Sequence, residues 1–179
     1  MIQHVYLAGP FFNDVQKLHI DRVKESCKRY KVPFFSPKDE GGILKPKPTP
    51  EERRQILDSN RKGIRESGFV LAVLDWLMPT GQQLRVVSHD PALDQYKVLS
   101  PPLNLPDAGT VWEMGFAVAV EVPVVGLRLD PKGHINVMLA ESVHRVIDGY
   151  TEVDAIIQHY GSYGSLPPKG AVAWRGEVQ

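Results

Sequence analysis

The sequence predicts an α/β fold: a five-stranded, mainly parallel sheet flanked by helices, of the flavodoxin or Rossmann-like kind. Three observations predict it. Apolar runs at residues 5–8, 69–74 and 122–129 read as buried strands. Between them lie segments with helical spacing or helix-start signals. Strands and helices therefore alternate along the chain, the pattern of a parallel sheet with helical crossovers.

Each element follows from its residues. Val5-Tyr6-Leu7-Ala8 runs into Gly9-Pro10, a strand and its turn. In residues 15–30, Ile20, Val23 and Cys27 are spaced by three and four, which predicts a helix, with Val15 and Leu18 as further apolar positions. Val32-Pro33-Phe34-Phe35 predicts a second short strand. Residues 36–49 hold Pro37, Gly41-Gly42, Pro46 and Pro48 and predict a loop. Thr49-Pro50-Glu51-Glu52 combines a capping residue, Pro at the first position and acids in the first turn, so a helix starts there and runs to about Glu66. The run 69–74 is typical of a central parallel strand. Residues 76–108 show little regular pattern, and a loop this long in a compact domain is functional or flexible. A helix at 110–120, a strand at 122–129 and helices at 135–146 and 151–160 complete the reading. Ligands of such folds sit beyond the C-terminal ends of the strands, where the segments after Ala8, after Leu74 and before Thr110 fall.

The 179 residues suit one domain spanning 1–179, and 42% hydrophobic residues suffice for a core. Lys plus Arg equals Asp plus Glu at 21 each, so the chain lacks the basic field of a nucleic-acid binder and points to a small-molecule ligand. Cys27 is the only cysteine, which excludes an internal disulfide and suits a reducing cytoplasm. No signal peptide is expected, and no apolar stretch approaches the roughly 18 residues of a membrane span. The six histidines are scattered without metal-ligand spacing, so no metal site is expected.

The chemistry concentrates in Asp107-Ala108-Gly109-Thr110-Val111-Trp112-Glu113-Met114-Gly115-Phe116-Ala117-Val118-Ala119. Two readings compete for Glu113. In one, Thr110 caps a helix and Glu113, in its first turn, reaches back to complete a capping box worth about 1 kcal/mol. In the other, Glu113 is a nucleophile. The pattern D-x-G-T-x-x-E-x-G-x-A-x-A, ahead of Pro123-Val124, resembles the nucleoside 2-deoxyribosyltransferase family. So do Tyr6-Leu7-Ala8-Gly9-Pro10-Phe11-Phe12, and Asn60 followed by Gly63-Ile64 and the strand up to Asp75.

That resemblance implies an enzyme that transfers 2-deoxyribose between nucleobases, with nucleosides and nucleobases as its small-molecule partners and no cofactor. Glu113 matches the glutamate that attacks C1′ of the sugar to form a covalent deoxyribosyl-enzyme, the logic of retaining glycosidases. The helix N-terminus beside it should keep it ionised. Asp107 matches the acid that binds the 5′-hydroxyl, where relatives acting on 5′-monophosphates carry serine, so Asp107 implies free nucleosides. An ordinary turn is the competing reading of Asp107. Asn60 stands where the family commonly has an acid handling the leaving base. Asp58 lies two residues upstream, off the same helix face. Tyr6 and Phe12 match aromatic positions of the base pocket, although a core role suits Tyr6 equally. Gly9, Asp75 and Gly109 complete the expected substrate-binding set.

Asn136-Val137-Met138 matches an Asn-x-Met contributed by a neighbouring subunit, which implies a homo-oligomer built from dimers, up to a hexamer. The competing reading packs these residues in the chain's own core. The ending Trp174-Arg175-Gly176-Glu177-Val178-Gln179 resembles the family's tail, whose carboxylate helps build the site. The main departure is an insertion at about 76–106, read as a lid or a subunit contact. Two other functions compete with this reading: an N-glycoside hydrolase of nucleosides or their 5′-monophosphates, which shares the nucleophile, and a non-catalytic nucleotide-binding module on a similar scaffold, which would not need Glu113 and Asp107 together.

Overall fold

The computed structural model of the chain describes residues 2–40, 48–75, 106–129 and 135–169 in full, and 86–90 and 95–99 by their backbone. The elements of the main body are β1 (His4–Ala8), α1 (Asp14–Arg29), β2 (Phe34–Phe35), α2 (Pro37–Glu40), α3 (Pro50–Arg65) and β3 (Ser67–Val73). A hairpin of β4 (Val86–Asp90) and β5 (Gln95–Leu99) follows. Then come α4 (Ala108–Ala119), β6 (Val124–Arg128), α5 (Val137–Ser142), β7 (Arg145–Asp148) and α6 (Tyr150–Tyr163).

Five strands form one sheet in the order β2-β1-β3-β6-β7, and every pairing in it is parallel. The α/β fold with five strands is therefore as the sequence predicts. Alternate side chains build two cores. Val5, Leu7, Phe69, Leu71, Val73, Val125 and Leu127 pack under Ile20, Val23 and Cys27 of α1 and Val153, Ile156 and Ile157 of α6. On the opposite face Tyr6, Ala8, Val70, Ala72, Leu74 and Val124 pack under Ile64 of α3 and Met114 and Ala117 of α4. Burial on both faces explains why these strands read as continuous apolar runs. The direction of winding reverses between β1 and β3, so their C-terminal ends form the switch point where such sheets bind ligands.

The helix starts follow capping chemistry. Asn13 caps α1 in a reciprocal box with Gln16, and Thr49 caps α3 in one with Glu52. Buried positions of α1 include Ile20, Val23 and Cys27, whereas Leu18 is exposed. Gly149 enters α6 at φ 79° and Gly164 leaves it at φ 69°, both in backbone conformations that favour glycine.

Four predicted elements need correction. The strand expected at 32–35 shrinks to Phe34–Phe35, because the Val32 amide closes the end of α1 on the Cys27 carbonyl and Pro33 has no amide hydrogen. The loop expected at 36–49 contains the short helix α2. The helix expected at 135–146 covers only Val137–Ser142. Val143 is extended, and Arg145–Asp148 supplies the fifth strand, parallel to β6. The patternless segment 76–108 contains the antiparallel β4–β5 pair, a sheet of its own rich in valine, with Val86, Val87 and Val98. Whether the rest of that insertion is a lid or a subunit contact lies outside the described residues, as does the tail Trp174–Gln179.

The sheet ends in short strands bordered by prolines. β2 is two residues long with Pro33 before it and Pro37 just beyond. Beside the start of β7, His144 Nε2 bonds the Pro167 carbonyl at 2.9 Å and Arg145 donates to the Pro168 carbonyl at 3.1 Å. Among the described residues no helix is long and apolar enough to cross a membrane.

Candidate active site

The site is built where α3 and α4 cross β1. Tyr6 lies mid-strand on the face beneath these helices and is fully buried. Phe35 stacks on it from β2, with ring centroids 5.3 Å apart. Gly63 makes room for that ring: a Cβ there would stand 3.0 Å from Phe35. His4 Nε2 bonds the Gly63 carbonyl at 2.7 Å, which ties α3 to β1 and sets Asn60, one turn earlier, beside Tyr6. His4 thus has a positioning part that the sequence reading did not assign.

α4 brings the carboxylate. Its cap is Asp107, whose Oδ2 accepts from the Thr110 amide at 3.0 Å. Asp107 is therefore neither a plain turn residue nor separate from the helix, and the Thr110–Glu113 capping box does not form. Capping three residues earlier moves Glu113 from the first turn to the second and frees its carboxylate from the backbone. Gly109 leaves space for the cap, since a Cβ there would meet Asp107 Oδ2 at 2.8 Å. The buried Thr110 hydroxyl has no hydrogen-bond partner among the described residues.

Glu113 is buried, and its Oε1 accepts the Tyr6 hydroxyl at 2.7 Å. Asn60 Nδ2 approaches the same oxygen at 3.5 Å, a long contact. Oε2 makes no hydrogen bond among the described residues. Burial pushes the Glu113 carboxyl up to about 7, the Tyr6 hydrogen bond opposes this, and the charge of Asp107 adds to it. Burial therefore works against the expectation that the helix N-terminus keeps Glu113 ionised. The Tyr6 hydroxyl is itself held far above its ordinary value, by burial first and then by Glu113, so it stays a donor. Chemically, the arrangement is a desolvated carboxylate with one oxygen held and the other unbonded among the described residues.

The structure thus brings Glu113, Tyr6 and Asn60 together, with Asp107 one and a half turns earlier on α4. Apart from Gly109, which lies against the Asp107 cap, the other candidates have their described contacts elsewhere. Phe12 is 64% exposed and stacks on Phe11. Gly9 passes close over the core, where a Cβ would stand 2.8 Å from Ile20 Cδ1. Asp75 is buried at the end of β3, and its Oδ2 accepts the Leu129 amide at 2.5 Å, clasping β3 to β6. Asn136 caps α5, accepting from the Met138 amide at 2.9 Å. Val137 and Met138 point to solvent, Met138 with 75% exposure, while Leu139 packs partly into the chain's own core. Asp58 is held in an ion pair with Arg61 and is exposed. Among the described residues no cluster of His, Cys, Asp and Glu could hold a metal ion.

The family model for nucleoside 2-deoxyribosyltransferase matches residues 5–81, less than half of the 179 residues. Tyr6, Gly9, Phe12, Asn60 and Asp75 fall inside that stretch. The resemblance read from the residues is borne out over this part of the chain. Among solved structures, the chain is similar to a 2-deoxyribosyltransferase from the psychrotolerant bacterium Bacillus psychrosaccharolyticus, with 20% identity and a TM-score of 0.64 over 92% of this chain and 98% of that one. It is also similar to a conserved protein from Enterococcus faecalis V583, with 17% identity and a TM-score of 0.63 over 89% of this chain and 99% of that one. At these identities the likeness is one of fold. No curated protein matches the sequence.

Proposed function

We propose that the chain transfers 2-deoxyribose between nucleobases, with Glu113 as nucleophile. The observation that carries this reading is the buried Glu113 carboxylate, held through Oε1 by Tyr6 at 2.7 Å on a fold shared with a 2-deoxyribosyltransferase. The match of the family model over residues 5–81 supports it.

In this mechanism Oε2 of Glu113 attacks C1′ of a 2′-deoxyribonucleoside. A C1′–O bond forms as the C1′–N bond breaks, the electron pair leaves with the base nitrogen, and the base takes a proton from solvent. A ring nitrogen of a second base then attacks C1′. The ester C1′–O bond breaks, its electron pair returns to Glu113, and the proton carried by the attacking nitrogen is released. Two displacements keep the configuration at C1′. Burial favours the first of them, because a charged carboxylate becomes a neutral ester in a poorly solvated site. The Tyr6 hydrogen bond offsets part of that bias by stabilising the carboxylate that must be regenerated. Asp107, one and a half turns away and negative, disfavours a phosphate dianion, so the proposed substrates are free nucleosides. The proposal includes an oligomer in which Asn136 and Met138 complete a neighbour's site.

The test is incubation with thymidine plus adenine, with chromatography of bases and nucleosides. 2′-Deoxyadenosine should form, and a mass increase of one deoxyribosyl group should be found on the peptide containing Glu113. Release of thymine with no deoxyadenosine would mean that water, and not a base, takes the sugar.

A further inference from the structure

Resting on the glycosyl-transfer reading, we infer that Asn60 selects bases that carry an exocyclic amine beside an acceptor ring nitrogen, adenine above all, over their oxo counterparts. A side-chain amide has donors at one end and an acceptor at the other, and in isolation it can turn over. At position 60 it is oriented by its neighbour. Oε1 of Glu113, which lies 3.5 Å from Nδ2, already receives the Tyr6 hydroxyl and is an acceptor toward Asn60. Turning the amide over would set Oδ1 against that oxygen, two acceptors face to face.

The fixed orientation leaves Oδ1 at the far end, buried and without a hydrogen-bond partner among the described residues. A buried acceptor in that state is a cost that a ligand's donor relieves. Near the glycosidic carbon the choice of donor is narrow. The ring oxygen of the sugar only accepts, and C2′ of a 2-deoxyribose has no hydroxyl. Of the groups on C1′ and the two ring atoms beside it, only the base carries a donor. Adenine offers N6–H beside N7, the pair that an asparagine reads with both ends of its amide. Oδ1 accepts from N6, and the second Nδ2 hydrogen is available to N7. Hypoxanthine and guanine present O6 and N7, both acceptors, so O6 would face Oδ1 with no hydrogen between them. An acid at this position, as the family commonly has, donates or accepts according to its protonation and does not discriminate in this way. Asn60 has no proton to give, so its part is recognition.

The experiment compares kcat/KM for base release from 2′-deoxyadenosine, 2′-deoxyinosine and adenosine by the full chain, with cytosine as common acceptor, and repeats it with Asn60→Asp. The wild type should favour deoxyadenosine over deoxyinosine by about tenfold to a hundredfold, the worth of one bidentate pair. Asn60→Asp should bring that ratio to within about threefold, the residue left once the pair is lost. A wild-type ratio near one would overturn the assignment of Asn60 alone. So would a variant that slows both deoxynucleosides equally, because a merely structural asparagine leaves the ratio unchanged. Preference for adenosine would mean that a 2′-hydroxyl meets Oδ1, which also overturns it. No release from any of the three would overturn the glycosyl-transfer reading and the inference with it.

Discussion

The hydroxyl of Tyr6, on the first strand, donates to Oε1 of Glu113, 107 positions away on the fourth helix, at 2.7 Å. This bond sets how readily the carboxyl ionises, because it is the main influence that lowers its pKa against burial.

Tyr6→Phe removes that influence. Glu113 must be ionised to attack, so activity should rise with pH through about 7 in the wild type and fall away below it. In Tyr6→Phe the limb should move to higher pH. A pH profile of kcat/KM checks this, and a limb that stays in place would show that Tyr6 does not tune Glu113.

Glu113→Gln should abolish turnover and yet stabilise the fold at alkaline pH. An acid whose folded pKa lies above its unfolded value penalises folding as pH rises between the two, here from about 4.5 to about 7. The penalty is then constant above about pH 7, on the order of 3 kcal/mol. Gln keeps an oxygen for Tyr6 and carries no charge. Thermal melts should show a higher Tm for the variant at pH 8–9, shrinking to no difference near pH 4. Equal Tm values at pH 8 would place the carboxyl in better contact with solvent than its burial implies.

Asp107→Ser separates two parts of one residue. Serine caps a helix about as well as aspartate, so α4 should keep its start and its stability within roughly 0.5 kcal/mol. The negative charge is lost. Activity on 5′-monophosphates should rise relative to free nucleosides, as judged by the ratio of their kcat/KM values. A wild type that already prefers monophosphates would reject the electrostatic reading.

Asn136→Ser likewise preserves the cap of α5 while removing the amide. If sites are shared between chains, this variant and Glu113→Ala should each be nearly inactive. Oligomers refolded from a mixture should regain a fraction of wild-type activity. Mixed oligomers confirmed by native mass measurement but still inactive would place the two residues in one chain's site, or Asn136 outside it.

The central strands were legible because burial on both faces leaves no polar residue to interrupt them, as in Phe69-Val70-Leu71-Ala72-Val73-Leu74. The fifth strand was not, because Ile135 to Val146 holds apolar residues at spacings that suit either a helix or a helix followed by a strand. The start of α4 was misplaced for a similar reason. Asp107 and Thr110 are both capping types three residues apart, and the sequence fits either. The choice matters, since the earlier cap leaves the Glu113 carboxylate out of the capping box and free to meet Tyr6. Glu113 and Asp107 were legible as a motif. That Tyr6 would hold the carboxylate was not, because strand alternation says which face a residue takes and nothing about its partner on a distant helix. That Phe35 would stack on Tyr6, with Gly63 making room for its ring, was equally hidden, because the local sequence of each residue does not name its partner.

The prolines at the rims of the sheet bear on how copies of this chain can meet. A strand can be extended only by a neighbour with amide hydrogens to offer at the right spacing. On one side the two-residue β2 between Pro33 and Pro37 gives too short a template. On the other, Pro167 and Pro168, fastened by His144 and Arg145, stand beside the start of β7 with no amide hydrogens. Edge-to-edge stacking into fibrils is thereby discouraged at both rims. On α5, by contrast, Val137 and Met138 stand in water and offer apolar surface of another kind.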